Sequence, residues 1–240
     1  GNGDGSPSGG PFGTKTYGTY LVADSSKYAD ILEVDKIWYQ FPVGERNTFW
    51  FGPKIENYYM HGTTPSIYKP VLKQFTLGGN AAAYGASTKT GAGWAFNADN
   101  GFAISSNVVS GNNGLLTDQQ PTSWATQVGI TKPQYSASLM VNQKYNGWED
   151  EYFSTSKGHK RLDDGASGTQ NANSTNYGLR AWWRPLETGT ATPSISLGYD
   201  LSTIDAASVD GTIDETNAWF VGLNWADIFQ ADDKLSLIHI

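Results

Sequence analysis

From residue 34 onward the chain alternates large apolar and small polar residues with a period of two, in block after block. Period two sends successive side chains to opposite faces of a strand, whereas a helix needs a period of 3.6. In 194–201, Ile195, Leu197, Tyr199 and Leu201 fall on one face and Ser194, Ser196, Gly198 and Asp200 on the other. In 217–225, Trp219, Val221, Leu223 and Trp225 oppose Phe220, Gly222 and Asn224, and 134–142 repeats the pattern. Six further blocks read the same way: 34–43, 47–55, 91–97, 102–109, 124–130 and 177–184. A tenth strand is expected to begin at Leu235. Pro53 is awkward inside its block, because proline donates nothing to a ladder and belongs at an edge or bulge. Such a chain is committed to antiparallel sheet.

The connections narrow the choice. Those at 41–47, 97–101, 131–134, 184–193 and 226–234 are short, while 56–90, 110–123, 143–176 and 202–215 are long and polar, and the two kinds alternate strictly. Nothing in a soluble sandwich requires that order. An outer-membrane barrel does, with short turns on the periplasmic side and long loops outside. The 240 residues contain no run near the roughly 20 apolar residues of a membrane helix, but a transmembrane strand needs only about 9–11 with one apolar face. The charge of −7, from 16 basic and 23 acidic side chains, argues against nucleic acid, which selects a basic stripe. With no cysteine there is neither a disulfide framework nor a thiolate metal site. The Gly/Ser/Pro-rich opening, 1–13, reads as loop.

The two faces differ as a barrel requires. Ile37, Tyr39, Phe41, Phe49, Phe51, Ile55, Trp94, Phe96, Phe102, Ile104, Val108, Val128, Ile130, Leu179, Ala181 and Trp183 form an apolar face free of charge. The opposite face carries Lys36, Gln40, Thr48, Lys54, Asn97, Ser105, Asn107, Gln127, Arg180, Arg184 and Asn224 among many small residues. Phe41, Phe49, Phe96, Phe102, Tyr135, Trp183 and Trp225 cluster beside the short turns, at the level of a membrane-interface girdle. The expected fold is all-β, an antiparallel up-and-down transmembrane β-barrel with about ten strands present. The competing reading is a secreted β-sandwich that binds carbohydrate through exposed Trp and Tyr.

The unit VDKIWYQFPVGERNTFWFGPKI (34–55), followed by PSIYKP (65–70) and the hairpin GWAFNADNGFAISSN (93–107), resembles the cyanobacterial outer-membrane porins. These belong to the OprB-like, carbohydrate-selective superfamily, some of them described as iron-uptake porins. The likeness covers about 34–235, sharply at the strand–FPVG–strand unit and elsewhere in layout. It implies a roughly sixteen-stranded barrel in the outer membrane. It also implies a surface-layer-homology domain upstream that tethers the protein to the cell wall. On that expectation 1–33 is the remnant of an early loop, 34–240 is a partial barrel, and both the tether and the first strands are absent. The end SLIHI (236–240) resembles translated adapter sequence, so the expected natural chain continues past KLSL with a closing strand.

Enzyme chemistry has little support in the residues. His61, His159 and His239 are scattered outside any metal spacing and read as surface or loop histidines. Glu149 and Glu151 beside Trp148 read as solvated loop carboxylates, and 209–215 lacks the order of a calcium loop. The expected function is a water-filled channel for passive diffusion of small ions and solutes, sugars or iron species following only from the resemblance. No catalytic residue, metal or cofactor is expected. The partners are the lipid bilayer and the permeating solutes, with a homotrimer as the porin-like assembly. Lys36, Lys54, Arg180, Arg184 and Asp200 are the candidate pore-lining charges, four positive and one negative, which implies a mildly anion-favouring lumen. Within the connection 56–88, Tyr58, Tyr59, Tyr68 and Phe75 are candidates to pack on the inner wall or to narrow the lumen as a constriction loop.

Overall fold

The computed structural model describes residues 36–67, 77–79, 81–85, 87–111, 120–148, 173–205 and 215–239. The expected remnant at 1–33 lies outside them. The described chain is all-β. Its strands are β1 (Ile37–Val43), β2 (Asn47–Glu56), β3 (Thr88–Asn97), β4 (Phe102–Ser110), β5 (Thr122–Thr131), β6 (Tyr135–Tyr145), β7 (Asn173–Trp183), β8 (Ser194–Asp205), β9 (Glu215–Ala226) and β10 (Lys234–His239). They form one sheet in sequence order, every neighbouring pair antiparallel. Each strand lies where the alternation places it. The sheet is open between β1 and β10.

Its hydrophobicity is inverted relative to a water-soluble sheet. On β6, Tyr135, Ala137 and Leu139 are exposed while Ser136, Ser138, Met140 and Asn142 are buried, and β7 and β8 repeat the pattern. Ile37, Tyr39, Phe51, Trp124, Leu139, Tyr177, Leu179, Leu197, Tyr199 and Trp219 all stand exposed on the apolar side. Together they present on the order of 1,000 Å² of apolar surface, where a soluble monomer rarely shows a patch above a few hundred. No second sheet covers them among the described residues. The buried residues on the opposite face include Ser105, Asn107, Ser123, Gln127, Asn142, Asn176, Arg180, Ser196 and Asp200, with Met140, Trp182 and Phe220 among them.

The register shows how the strands lean. Hydrogen-bonded partners lead across the sheet from Phe41 through Phe49, Trp94, Ser106, Thr126, Val141, Tyr177 and Leu201 to Asn217. Phe41 is close to the short-turn end of β1, whereas Asn217 is near the opposite end of β9. The stagger is therefore about one residue per strand. At about 3.3 Å per residue and 4.8 Å between strands this tilts the strands by roughly 35°.

One local irregularity moves two residues. Tyr39 pairs with Phe51 but Ile37 pairs with Lys54, so β2 carries an extra residue around Pro53. The bulge answers the proline problem, with the Pro53 carbonyl accepting a bond of 2.9 Å from Thr90 Oγ1. Beyond it the faces exchange. Ile55, expected on the apolar face, is fully buried on the inner one, and Lys54, expected inside, stands opposite the exposed Ile37.

Candidate functional site

The buried polar face is covered by the connection between β2 and β3, which folds back across it as a strap. The strap opens with a 3-10 turn, Asn57–Met60. Gly62 N then donates to Ser105 Oγ on β4 at 3.0 Å, and Thr63 N to Gln127 Oε1 on β5 at 2.9 Å. Thr64 O accepts from Trp182 Nε1 on β7 at 3.0 Å, and Ile67 N donates to Ser196 Oγ on β8 at 3.2 Å. The return leg passes Leu77–Gly79 over β7 and β8 and makes one helical turn, Ala81–Tyr84. It closes where Ser87 N donates to Asn57 Oδ1 at 2.7 Å and Asn57 N to Ser87 O at 3.0 Å. Ser87 Oγ reaches Ser123 on β5, and Trp148 Nε1 donates to Ser87 Oγ, both at 3.1 Å. Strap backbone groups thus find partners on a wall of small polar side chains, as buried amides require.

Arg180 and Asp200 hold the return leg. Diagonal to each other across β7 and β8, they form an ion pair, with Nη2 donating to Oδ2 at 3.1 Å and Nη1 in charge contact with Oδ1 at 2.9 Å, and side chains 1% and 2% exposed. Arg180 Nε donates to the strap carbonyl of Leu77 at 2.6 Å, and the guanidinium lies 4.6 Å from the Tyr84 ring centre. The planar fork suits this work, binding a carboxylate on one edge and a carbonyl on another. Burial drives the Tyr84 hydroxyl well above the usual tyrosine range, so it stays protonated beside Gln127, whose Nε2 donates to it. Gly198 lies directly under the strap, where a β-carbon would come 1.7 Å from the Gly78 carbonyl oxygen.

The other expected site residues divide. Lys36 pairs with the buried Glu56 and stands 5.6 Å from the Tyr59 ring. Tyr59 stacks on Trp38 at 5.6 Å and is half exposed. Tyr58 packs against Leu77, Tyr84, Ala125 and Met140, and burial raises its hydroxyl's proton affinity. Arg184 is exposed beyond the end of β7, where Nε donates to Pro133 O at 2.6 Å and staples two short turns. Tyr68 and Phe75 lie outside the described residues, as do Glu149, Glu151 and His159. The positive excess counted from the sequence is therefore offset: Asp200 neutralises Arg180, Glu56 neutralises Lys36, Lys54 is on the apolar side and Arg184 is in a turn.

All seven girdle aromatics sit at or within two residues of a strand end that carries a short connection. Phe41 stacks on Phe49 at 5.6 Å, Tyr135 faces Trp183 across the ladder, and Trp225 Nε1 donates to Ala191 O at 2.8 Å. A second row on the same face, Trp124, Tyr177 and Trp219, lies toward the long connections and was not separated from the strand pattern by sequence. Tyr177 and Trp183 are six residues apart on β7, about 20 Å along the strand. His61, read as a surface or loop histidine, lies in the β2–β3 connection with both ring nitrogens buried.

Compared with known proteins, the chain matches no family model, no curated protein and no solved structure.

Proposed function

We propose that the sheet is part of the wall of an outer-membrane β-barrel, and that the protein is a porin-type channel for passive diffusion of small hydrophilic solutes, without catalysis. The observation that carries this reading is the inverted sheet: the exposed apolar face suits acyl chains, and the polar face suits an aqueous lumen. The strand tilt of roughly 35° supports it, since closed barrels adopt about 35–45°. So do the two rows of rings, whose separation, about 16 Å along the membrane normal once the tilt is included, spans about two thirds of the roughly 25 Å apolar band of such barrels. The strap occupies the place of a lumen-narrowing loop. With Arg180 paired to Asp200 and Lys36 to Glu56, the part of the inner wall under the strap favours solutes by size more than by sign.

Single-channel recording in planar bilayers, on the full-length protein, tests the proposal. Ohmic steps that scale with KCl concentration are expected. A protein that stays monodisperse without detergent and gives no steps would contradict it, and would favour the carbohydrate-binding alternative.

A further inference from the structure

His61 is set into the outgoing leg of the strap in an unusual way. Its ring meets Tyr84 edge-on at 5.2 Å, both nitrogens are buried, and neither has a hydrogen-bond partner among the described residues. The next two residues carry the strap's bonds to the wall, Gly62 N to Ser105 and Thr63 N to Gln127. Gly62 is pressed so close that a β-carbon would lie 2.9 Å from that of Ala103. The residue is only partly buried but its ring nitrogens are not at the surface, so hydrating a charged ring means turning it, which pulls on the two bonds that follow it.

The surroundings give a proton no counter-charge. Neither β4 nor β5, whose side chains bond the residues after His61, contains an ionisable side chain, and β3 contains only Lys89, near its start. Across Tyr84, Arg180 and Asp200 neutralise each other, and β6 adds a cation, Lys144, but no carboxylate. At the end of β2 Glu56 is engaged by Lys36, and on the strap the Tyr58 hydroxyl is held protonated. We propose that His61 is an acid-operated release for the strap: a proton on its ring is incompatible with the docked leg, and acidification detaches 61–64 from the inner wall.

Burial alone lowers the imidazole from its ordinary value of 6.5 to about 3 in the docked state. The docked form therefore resists the proton and the released form accepts it. Docking is at full strength above about pH 6.5 and weakens as pH falls toward 3. Between pH 7.5 and 5 the docking equilibrium shifts by about 30-fold toward release. The inference rests on the strap's geometry and stands whether or not the sheet lines a channel.

Hydrogen exchange of the folded full chain in detergent micelles, corrected for intrinsic rates, tests it. Protection of the Gly62 and Thr63 amides should fall by about 30-fold from pH 7.5 to pH 5, while amides of β4 and β5 hold. His61→Phe should keep the strap docked at pH 5, and His61→Gln serves if the larger ring disturbs packing. Asp200→Asn should leave the acid response in place, separating it from carboxylate titration. Unchanged protection in the unaltered protein, or the same acid response in both His61 variants, overturns the proposal.

Discussion

Replacing Gly198 with alanine separates the strap from the sheet that supports it. The new β-carbon would lie 1.7 Å from the Gly78 carbonyl oxygen, against an ordinary carbon–oxygen contact of about 3.3 Å, so the strap backbone must retreat by about 1.6 Å. Leu77 precedes Gly78, and its carbonyl sits 2.6 Å from Arg180 Nε. The same retreat carries that pair beyond hydrogen-bond range. A hydrogen bond from a charged donor contributes about 1.5–3 kcal/mol, so docking of the return leg weakens by about 2 kcal/mol, or roughly 30-fold in local opening. The sheet pays little, because alanine suits an extended backbone at least as well as glycine. Hydrogen exchange read by mass spectrometry should accelerate across 77–85 and stay unchanged across β5 and β6. Gly111→Ala is the control, since its β-carbon meets nothing nearer than 3.5 Å. Equal exchange in both variants, or loss of protection throughout the sheet, would mean that the close approach of Gly78 to Gly198 does not hold the return leg.

Three further outcomes follow from the same contacts. Arg180→Met strands the Asp200 carboxylate in a buried site and should cost about 3–5 kcal/mol in chemical unfolding, while the double variant with Asp200→Leu should recover much of it. Asp227 is held below the usual carboxylate range by hydrogen bonds from Thr188 and the Asp232 amide, so its contribution to the 227–233 turn is present above about pH 4 and lost as pH falls further; Asp227→Asn should abolish that pH dependence in exchange of the Asp232 amide. Exchanging Phe41 and Phe49 for serine removes a stacked pair from the proposed interface, and should reduce partition into phospholipid vesicles while leaving the strap's exchange unaltered.

The ten strands were legible because a period of two survives in every block, from Ile37 in β1 to Leu235 in β10. The bulge was legible only as an anomaly: Pro53 announced trouble, but its consequence, the exchange of faces at Lys54 and Ile55, depends on where β1 resumes pairing. The strap was expected as an inward connection, yet its anchors were not. Gln127, Trp182 and Tyr84 look like ordinary strand or loop residues until non-local packing brings them together. Arg180 and Asp200 were picked out singly as inward charges. That they form a pair follows from the offset between β7 and β8, which no local pattern encodes. Counting charges on a face overlooked partners such as Glu56, placed inside by the end of a strand and not by alternation.

The central claim is that one side of this sheet contacts lipid and the other does not. The chain has no cysteine, so single cysteines carrying nitroxide labels can be placed along β8 at Ile195, Ser196, Leu197, Tyr199, Leu201 and Ser202 without background. In phospholipid vesicles, collision rates with oxygen should alternate with a period of two, high at Ile195, Leu197 and Tyr199, where a water-soluble nickel reagent is excluded. If the nickel reagent reaches those three positions as freely as a label in an aqueous loop, the apolar face is not in the membrane and the account is wrong.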